Sequence, residues 1–183
     1  MIRHLILDRD GVLNREAPAG GYILRPEEFQ WLPGALPALA LLHGAGIRLS
    51  VATNQSGVGR GLMSATDLEA VHARMRREAA AAGGELDAVF ACPHAPEAGC
   101  DCRKPAPGLI LRAIAAAGVD PAQTLLAGDD LRDLQAARAA GIRAVLVRTG
   151  KGARAERGAA TLMTDVAVYD DLQQLAHTLA DAR

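Results

Sequence analysis

The residues that could do chemistry fall into four short stretches. Asp8 and Asp10 stand two apart in DRDGVLN, at the end of the apolar run RHLILD. In an extended chain residues i and i+2 point the same way, so both carboxylates can face one point. Two acids that close repel unless a cation or a shared proton intervenes, and a hard cation such as Mg²⁺ is the natural oxygen-bound partner. The alternative is a solvated turn, because Asp and Gly are turn residues. An EF-hand loop is excluded: the glycine comes too early and the twelfth-position acid is missing. GDDLRD supplies Asp129 at the end of another apolar run, best explained as a third metal carboxylate. Asp133, one helical turn further on, reads as a first-turn acid stabilised by the helix dipole.

TNQSG (53–57) leaves the run IRLSVAT with a hydroxyl, two amides, a second hydroxyl and a glycine, a turn whose neutral donors suit an anion. Taken alone it is an ordinary loop. The following GVGRG lacks the glycine spacing of a dinucleotide fingerprint. All three cysteines crowd into CPHAPEAGCDCRKP (92–105). Cys92, His94, Cys100 and Cys102 make four soft or borderline ligands, the number a closed structural Zn²⁺ site requires. A disulfide plus a free thiol, or a coincidental loop, are the competing readings, and zinc is favoured because the ligand set is complete and leaves no cysteine over. Arg103 and Lys104 follow directly, so a zinc knuckle would fix where two cations point. Lys104 suits a phosphoryl oxygen, while Arg103 can grip phosphate or carboxylate with two prongs.

Short apolar runs alternate with helical patterns around these stretches. Buried strands are expected over 3–8, 47–53, 87–91, 124–128 and the run IRAVLVRTG, with helices between them and a last short strand and helix in VAVYDDLQQLAHTLADA. Ser64 and Asp67 have capping-box spacing. KGARAERGAATLMTD (151–165) reads as a mobile surface loop. Strand–helix alternation predicts an α/β fold, a Rossmann-like doubly wound parallel sheet whose site lies beyond the carboxyl ends of the strands.

These motifs together resemble the haloacid dehalogenase (HAD) superfamily of phosphatases. DRDG looks like its first motif, Thr53 its second, Lys104 its third and GDD its fourth, so the resemblance covers nearly the whole chain. It implies Asp8 as nucleophile and Asp10 as the acid that protonates a leaving sugar oxygen and then activates water. Mg²⁺ would be held by Asp8, the backbone carbonyl of Asp10, and Asp129. Thr53 and Lys104 would hold phosphoryl oxygens. Substrate contacts are expected from Arg9, Gly21, Tyr22, Asn54, Gln55, Ser56, Arg103 and Asp130; members of the family often carry Lys or Ser where this chain has Asp130. The implied substrate is a small phosphosugar, favoured by TNQSGVGRG and VRTGKG over histidinol phosphate, which enzymes with the same mechanism and zinc loop cleave.

About 45 residues separate Asp8 from Thr53, much of it one helix, so no separate cap domain fits there. Specificity must come from loops: 15–25 with Gly21, Tyr22 and Arg25; 54–60, where Arg60 could reach a second phosphate or equally be a surface residue; and the zinc loop as a rigid wall. His4, His43, His72 and His177 read as structural or solvated, and Trp31 as packing near the first helix. At 183 residues, one HAD-like domain over 1–183 is expected. Half the residues are hydrophobic but only 3% aromatic, so the core rests on Ala, Leu, Val and Ile. A net charge of −1 and few aromatics speak against a zinc-stapled nucleic-acid module or an anionic-membrane surface. No run approaches the roughly 20 apolar residues of a membrane span. An odd cysteine count argues against a disulfide framework, and a reducing cytoplasm and a monomer are expected.

Overall fold

In the computed structural model, which describes residues 1–162 and 166–182, six parallel strands form one sheet in the order β3-β2-β1-β4-β5-β6. They are β1 (His4–Leu7), β2 (Arg48–Asn54), β3 (Ala88–Cys92), β4 (Thr124–Gly128), β5 (Arg143–Val147) and β6 (Ala167–Tyr169). The helices are α1 (Ala35–Gly44), α2 (Ala65–Ala81), α3 (Gly108–Ala117), α4 (Leu131–Ala139), α5 (Gly152–Leu162) and α6 (Leu172–Asp181). Side-chain alternation divides the central strands between two cores. Leu5, Leu7, Leu49, Val51, Leu125 and Ala127 pack with apolar residues of α1, α2 and α6. Ile6, Ala52, Leu126 and Leu146 pack with α3 and α4. With both faces covered, the strands read as continuous apolar runs, as a buried parallel sheet requires.

The chain lays β1, β2 and β3 outward in one direction and β4, β5 and β6 in the other, which puts the topological switch between β1 and β4. These two strands pair in register, His4 opposite Thr124 and Leu7 opposite Ala127. Asp8 and Asp129 each stand one residue past their strand, so the topology alone delivers both acids to one crevice.

The expected loop over 151–165 is corrected: Gly152–Leu162 is helix α5. Its buried side is made of small residues, Ala159 and Ala155, packed against α4 residues such as Leu131, and Gly158 leaves room for Leu131, which a Cβ there would meet at 2.9 Å. Apolar periodicity built from alanine and glycine is faint, and the charged outer face hid it. Arg148 at the end of β5 ties the helix down through Glu156, with contacts of 2.8 and 2.7 Å. Residues 163–165 lie outside the described residues. Among the described residues no helix is long and apolar enough to cross a membrane. Trp31 packs edge-on against Phe29 at a 5.0 Å centroid separation and donates from Nε1 to Glu78 at 2.7 Å.

Candidate active site

Three acids meet at the switch point. Asp8, Asp129 and Asp133 bring carboxylate oxygens within 4.8 Å of one another. Asp133, read from sequence as a first-turn acid, does close a capping box with Asp130 at the start of α4. It is also turned inward and buried, and Gly128 makes space for it, since a Cβ at 128 would stand 2.3 Å from the Asp133 Cβ. Asp129 is gripped by the crossing of two backbones. A Cβ on Gly11 or Gly150 would fall 2.0 or 2.1 Å from Asp129 Oδ2, and both glycines have positive φ, 85° and 57°. The backbone N–H of Lys151 donates to the same oxygen at 2.8 Å.

One buried cation faces this cluster. Lys104 Nζ lies 3.0 Å from Asp8 Oδ1 and 2.5 Å from Asp133 Oδ1, and donates to the Ala52 carbonyl at 2.8 Å. Burial opposes its charge, yet Asp133 and Asp8 hold its pKa well above the ordinary lysine value. Burial pushes Asp8 up to about 6 against the pull of Lys104, with Asp133 and Asp10 adding repulsion. Burial, then the charges of Asp8 and Asp133, push Asp129 up to about 8. Three crowded carboxylates with one ammonium leave negative charge that a hard divalent cation would neutralise, and the all-oxygen donor set fits Mg²⁺.

Asp10 is held apart from that cluster. Arg9 places one terminal nitrogen 3.0 Å from both Asp10 oxygens. Asn14 Nδ2 donates to Oδ1 at 2.9 Å and Gln55 Nε2 to Oδ2 at 2.7 Å. Burial alone would raise the Asp10 pKa, but the Arg9 charge and these hydrogen bonds bring it below the ordinary value. Arg9, expected as a substrate contact, borders the cleft but has a side chain only 1% exposed. Its second terminal nitrogen lies 3.2 Å from His72 Nε2 on α2.

The TNQSG turn and the cysteine loop are built as one piece. Gln55 also donates to Thr53 Oγ1 at 2.9 Å, while its backbone N–H reaches the Cys92 carbonyl at 2.7 Å. Gly59 N–H donates to the Pro93 carbonyl at 2.8 Å, a closeness that a Cβ, 2.6 Å from that oxygen, would prevent. Asn54 exchanges two 3.0 Å hydrogen bonds with the backbone of Lys104, so it orients the lysine. Ser56 Oγ pairs with Tyr22 Oη across the cleft at 3.1 Å.

Cys92, His94, Cys100 and Cys102 converge, with three S···S separations of 3.6, 3.3 and 3.5 Å and two N···S separations of 3.6 and 3.3 Å. All three cysteines are free. A tetrahedron of ligands at Zn–S ~2.3 Å and Zn–N ~2.0 Å has edges of about 3.5–3.8 Å, so this cage fits Zn²⁺. Burial opposes ionisation of Cys100, yet the backbone N–H of Arg103 and the neighbouring thiols draw it down to about 6, towards the thiolate a metal needs.

The cleft above these residues encloses about 210 Å³, with Gly21, Tyr22, Arg103 and Asp130 on its walls. Arg25 and Arg60 are exposed and do not line it. Arg103 donates towards the His94 carbonyl at 3.4 Å. Asp130 caps α4 and is paired with Arg132 at 2.7 Å. Arg132 and a Lys151–Glu16 ion pair of 2.5 Å complete the rim; sequence reading missed all three. The available signal for Asp133 was an acid in the first turn of the helix that follows the Asp129 strand end, but a charge in a basic segment gave none for Lys151.

The HAD-hydrolase-like family is matched over residues 101–175. The chain is 46% identical over 179 residues to a D-glycero-beta-D-manno-heptose-1,7-bisphosphate 7-phosphatase of Pseudomonas putida, covering 96% of this chain and 98% of that one. It is 42% identical over 134 residues to a D-glycero-alpha-D-manno-heptose-1,7-bisphosphate 7-phosphatase of Mycobacterium tuberculosis, 73% of this chain and 70% of that one. The crystal structure of D,D-heptose 1,7-bisphosphate phosphatase from Bordetella bronchiseptica, complexed with magnesium and phosphate, superposes with a TM-score of 0.93 at 42% identity and 100% coverage of both chains.

Proposed function

The chain belongs to the D-glycero-D-manno-heptose-1,7-bisphosphate 7-phosphatase family of HAD-like hydrolases, and we propose that it removes the C7 phosphate of that sugar. The observation that carries this reading is the meeting of Asp8, Asp129, Asp133 and Lys104 at one switch point, with Asp10 facing the same cleft. Asp8 attacks phosphorus and forms an acyl phosphate as the P–O7 bond breaks, while Asp10 gives its proton to O7. Water then attacks the phosphorus, Asp10 takes its proton, and orthophosphate leaves Asp8. The ionised Asp10 favoured by Arg9, Asn14 and Gln55 suits the second step. A phosphoryl dianion arriving two residues away raises its pKa for the first. Thr53 and Lys104 hold phosphoryl oxygens; Gly21, Tyr22, Ser56, Arg103 and Asp130 face the sugar.

Mg²⁺ would be held by Asp8, Asp129 and the carbonyl of Asp10, and it would neutralise charge around the transferring group. The magnesium and phosphate of the Bordetella structure support this assignment. Cys92, His94, Cys100 and Cys102 would hold Zn²⁺, and with four protein ligands its role would be structural. The chain acts as one domain over 1–183, as a monomer in the cytoplasm, a reducing compartment suited to free thiols clustered as ligands.

Three relatives named for the beta anomer cover 96% of the chain and two more cover 81%, whereas three named for the alpha anomer cover 73%, which favours the beta anomer here. The test is Mg²⁺-dependent orthophosphate release from both anomers and from histidinol phosphate. Release from the beta anomer, leaving heptose 1-phosphate, is expected, with Asp8→Asn inactive and folded. Preference for histidinol phosphate overturns the substrate, and an active Asp8→Asn overturns the mechanism.

A further inference from the structure

Arg9 carries a full charge in a nearly closed space, and what surrounds it bears on Asp10. Its guanidinium spans two groups: one terminal nitrogen sits on the Asp10 carboxylate, the other 3.2 Å from His72 Nε2. Arg9 and His72 are 1% and 3% exposed. His72 projects from the middle of α2, 63 positions from Arg9. An arginine has only donors, so the contact requires His72 Nε2 to be the acceptor, with the ring neutral and its proton on Nδ1. Burial, then the charges of Arg9 and Arg76, keep the ring neutral well below neutral pH.

We infer that His72 is a positioning residue for the phosphatase reaction: as a neutral acceptor it locks the Arg9 fork, and through it the angle at which Asp10 faces the cleft. The inference rests on the phosphatase reading above. Asn14 and Gln55 grip one Asp10 oxygen each, so among the described residues it is Arg9 that restrains both oxygens at once. Without His72 the guanidinium keeps its charge but loses the bond that fixes its plane, and the carboxylate gains freedom to rotate. A proton-transfer group displaced by about 1 Å can cost on the order of 10²-fold in rate, because near-attack geometry is lost while binding is kept. Among the described residues the hydrogen bond of His72 goes to Arg9 and not to the Mg²⁺ acids, so metal binding is spared.

The test compares His72→Leu, which removes the acceptor, with His72→Gln, whose amide oxygen restores one, using the phosphate-release assay on the beta heptose bisphosphate and, independently, on p-nitrophenyl phosphate. Far-UV circular dichroism and Tm establish the folded fraction. The expected result is kcat reduced 10- to 100-fold in His72→Leu, KM and the Mg²⁺ half-saturation within about threefold of the parent, and His72→Gln recovering most of the loss. Should His72→Leu fail to fold, His72→Phe, which keeps the ring volume without an acceptor, takes its place, and Arg9→Lys, which keeps the charge but cannot span both partners, is compared with Arg9→Lys/His72→Phe; equal kcat in the two marks one unit. A folded His72→Leu with parental kcat, a His72→Gln no better than His72→Leu, or multiplicative losses in the double variant overturns the inference. Failure of the parent to hydrolyse either ester would instead overturn the phosphatase reading.

Discussion

Asp129 should weaken the metal-free protein, so replacing it should stabilise the fold while destroying its chemistry. Its side chain is 1% exposed, and burial together with Asp8 and Asp133 pushes its pKa from 3.8 to about 8. A carboxyl whose folded pKa is raised costs stability above its unfolded value, and the cost grows until the pH passes the folded value. The full gap is worth ~6 kcal/mol at pH well above 8, at ~1.4 kcal/mol per pH unit. Asp129→Asn removes that charge and keeps an oxygen for the Lys151 N–H, 2.8 Å away. Its new NH₂ must find acceptors among Asp8 and Asp133, and the three acids share the strain, so a realised gain of ~2 kcal/mol is expected. For a chain of this length that is a rise of ~4–8 °C in Tm. The assay is thermal unfolding in excess chelator at pH 8 and pH 5, repeated with saturating Mg²⁺. The variant should melt higher than the parent at pH 8, by less at pH 5, and lose the stabilisation that Mg²⁺ gives the parent. A variant that melts lower in chelator at pH 8 refutes the claim that the acids are short of cations.

Purified protein should contain about one zinc per chain, and stripping it or making Cys102→Ser should lower Tm and raise KM, because Gln55, Gly59 and Arg103 all bond the cysteine loop; a zinc-free preparation with parental KM and Tm refutes the cage. His4, buried with Nε2 3.0 Å from Ser50 Oγ, is held down to about 4 chiefly by burial, then by Arg48, against Asp87. The unfolded chain takes that proton below about 6.5 and the fold refuses it until about 4, so up to ~3 kcal/mol of stability present above pH 6.5 is lost by pH 4. Denaturant midpoints of His4→Gln should fall less steeply over that window, and an unchanged slope refutes the assignment.

Much of this architecture is legible because it depends on local chemistry. Continuous apolar runs announce a sheet buried on both faces, and an acid one residue past such a run needs only the switch-point rule to become a site residue. Asp8 and Asp129 are legible that way, while the cysteine cluster is legible from its ligand types and spacing. Helix α5 was not, because alanine and glycine on its inner side carry too little hydrophobic contrast to betray a period against a charged outer side. Asp133 shows how two readings can both hold. The first-turn acid does cap α4, and the same side chain also faces Lys104.

The residues that govern how the acids are held are harder to read, for a physical reason. Arg9 in sequence is one more cation beside a cleft expecting phosphate, and its type argues for a substrate contact. What reverses that is a neutral acceptor 63 positions away, and neutrality is conferred by burial, which no local pattern specifies for a lone histidine on a helix. Asn54 is a similar case: its amide suits an anion, but both its bonds go to the Lys104 backbone. Glu16 and Lys151 pair across the rim from segments that sequence reads as separate loops. In each case residue type indicates what bond can be made, while the fold decides with whom. Groups that touch substrate are therefore more legible than groups that aim them, and a site predicted from motifs alone will assign too many of its polar residues to the ligand.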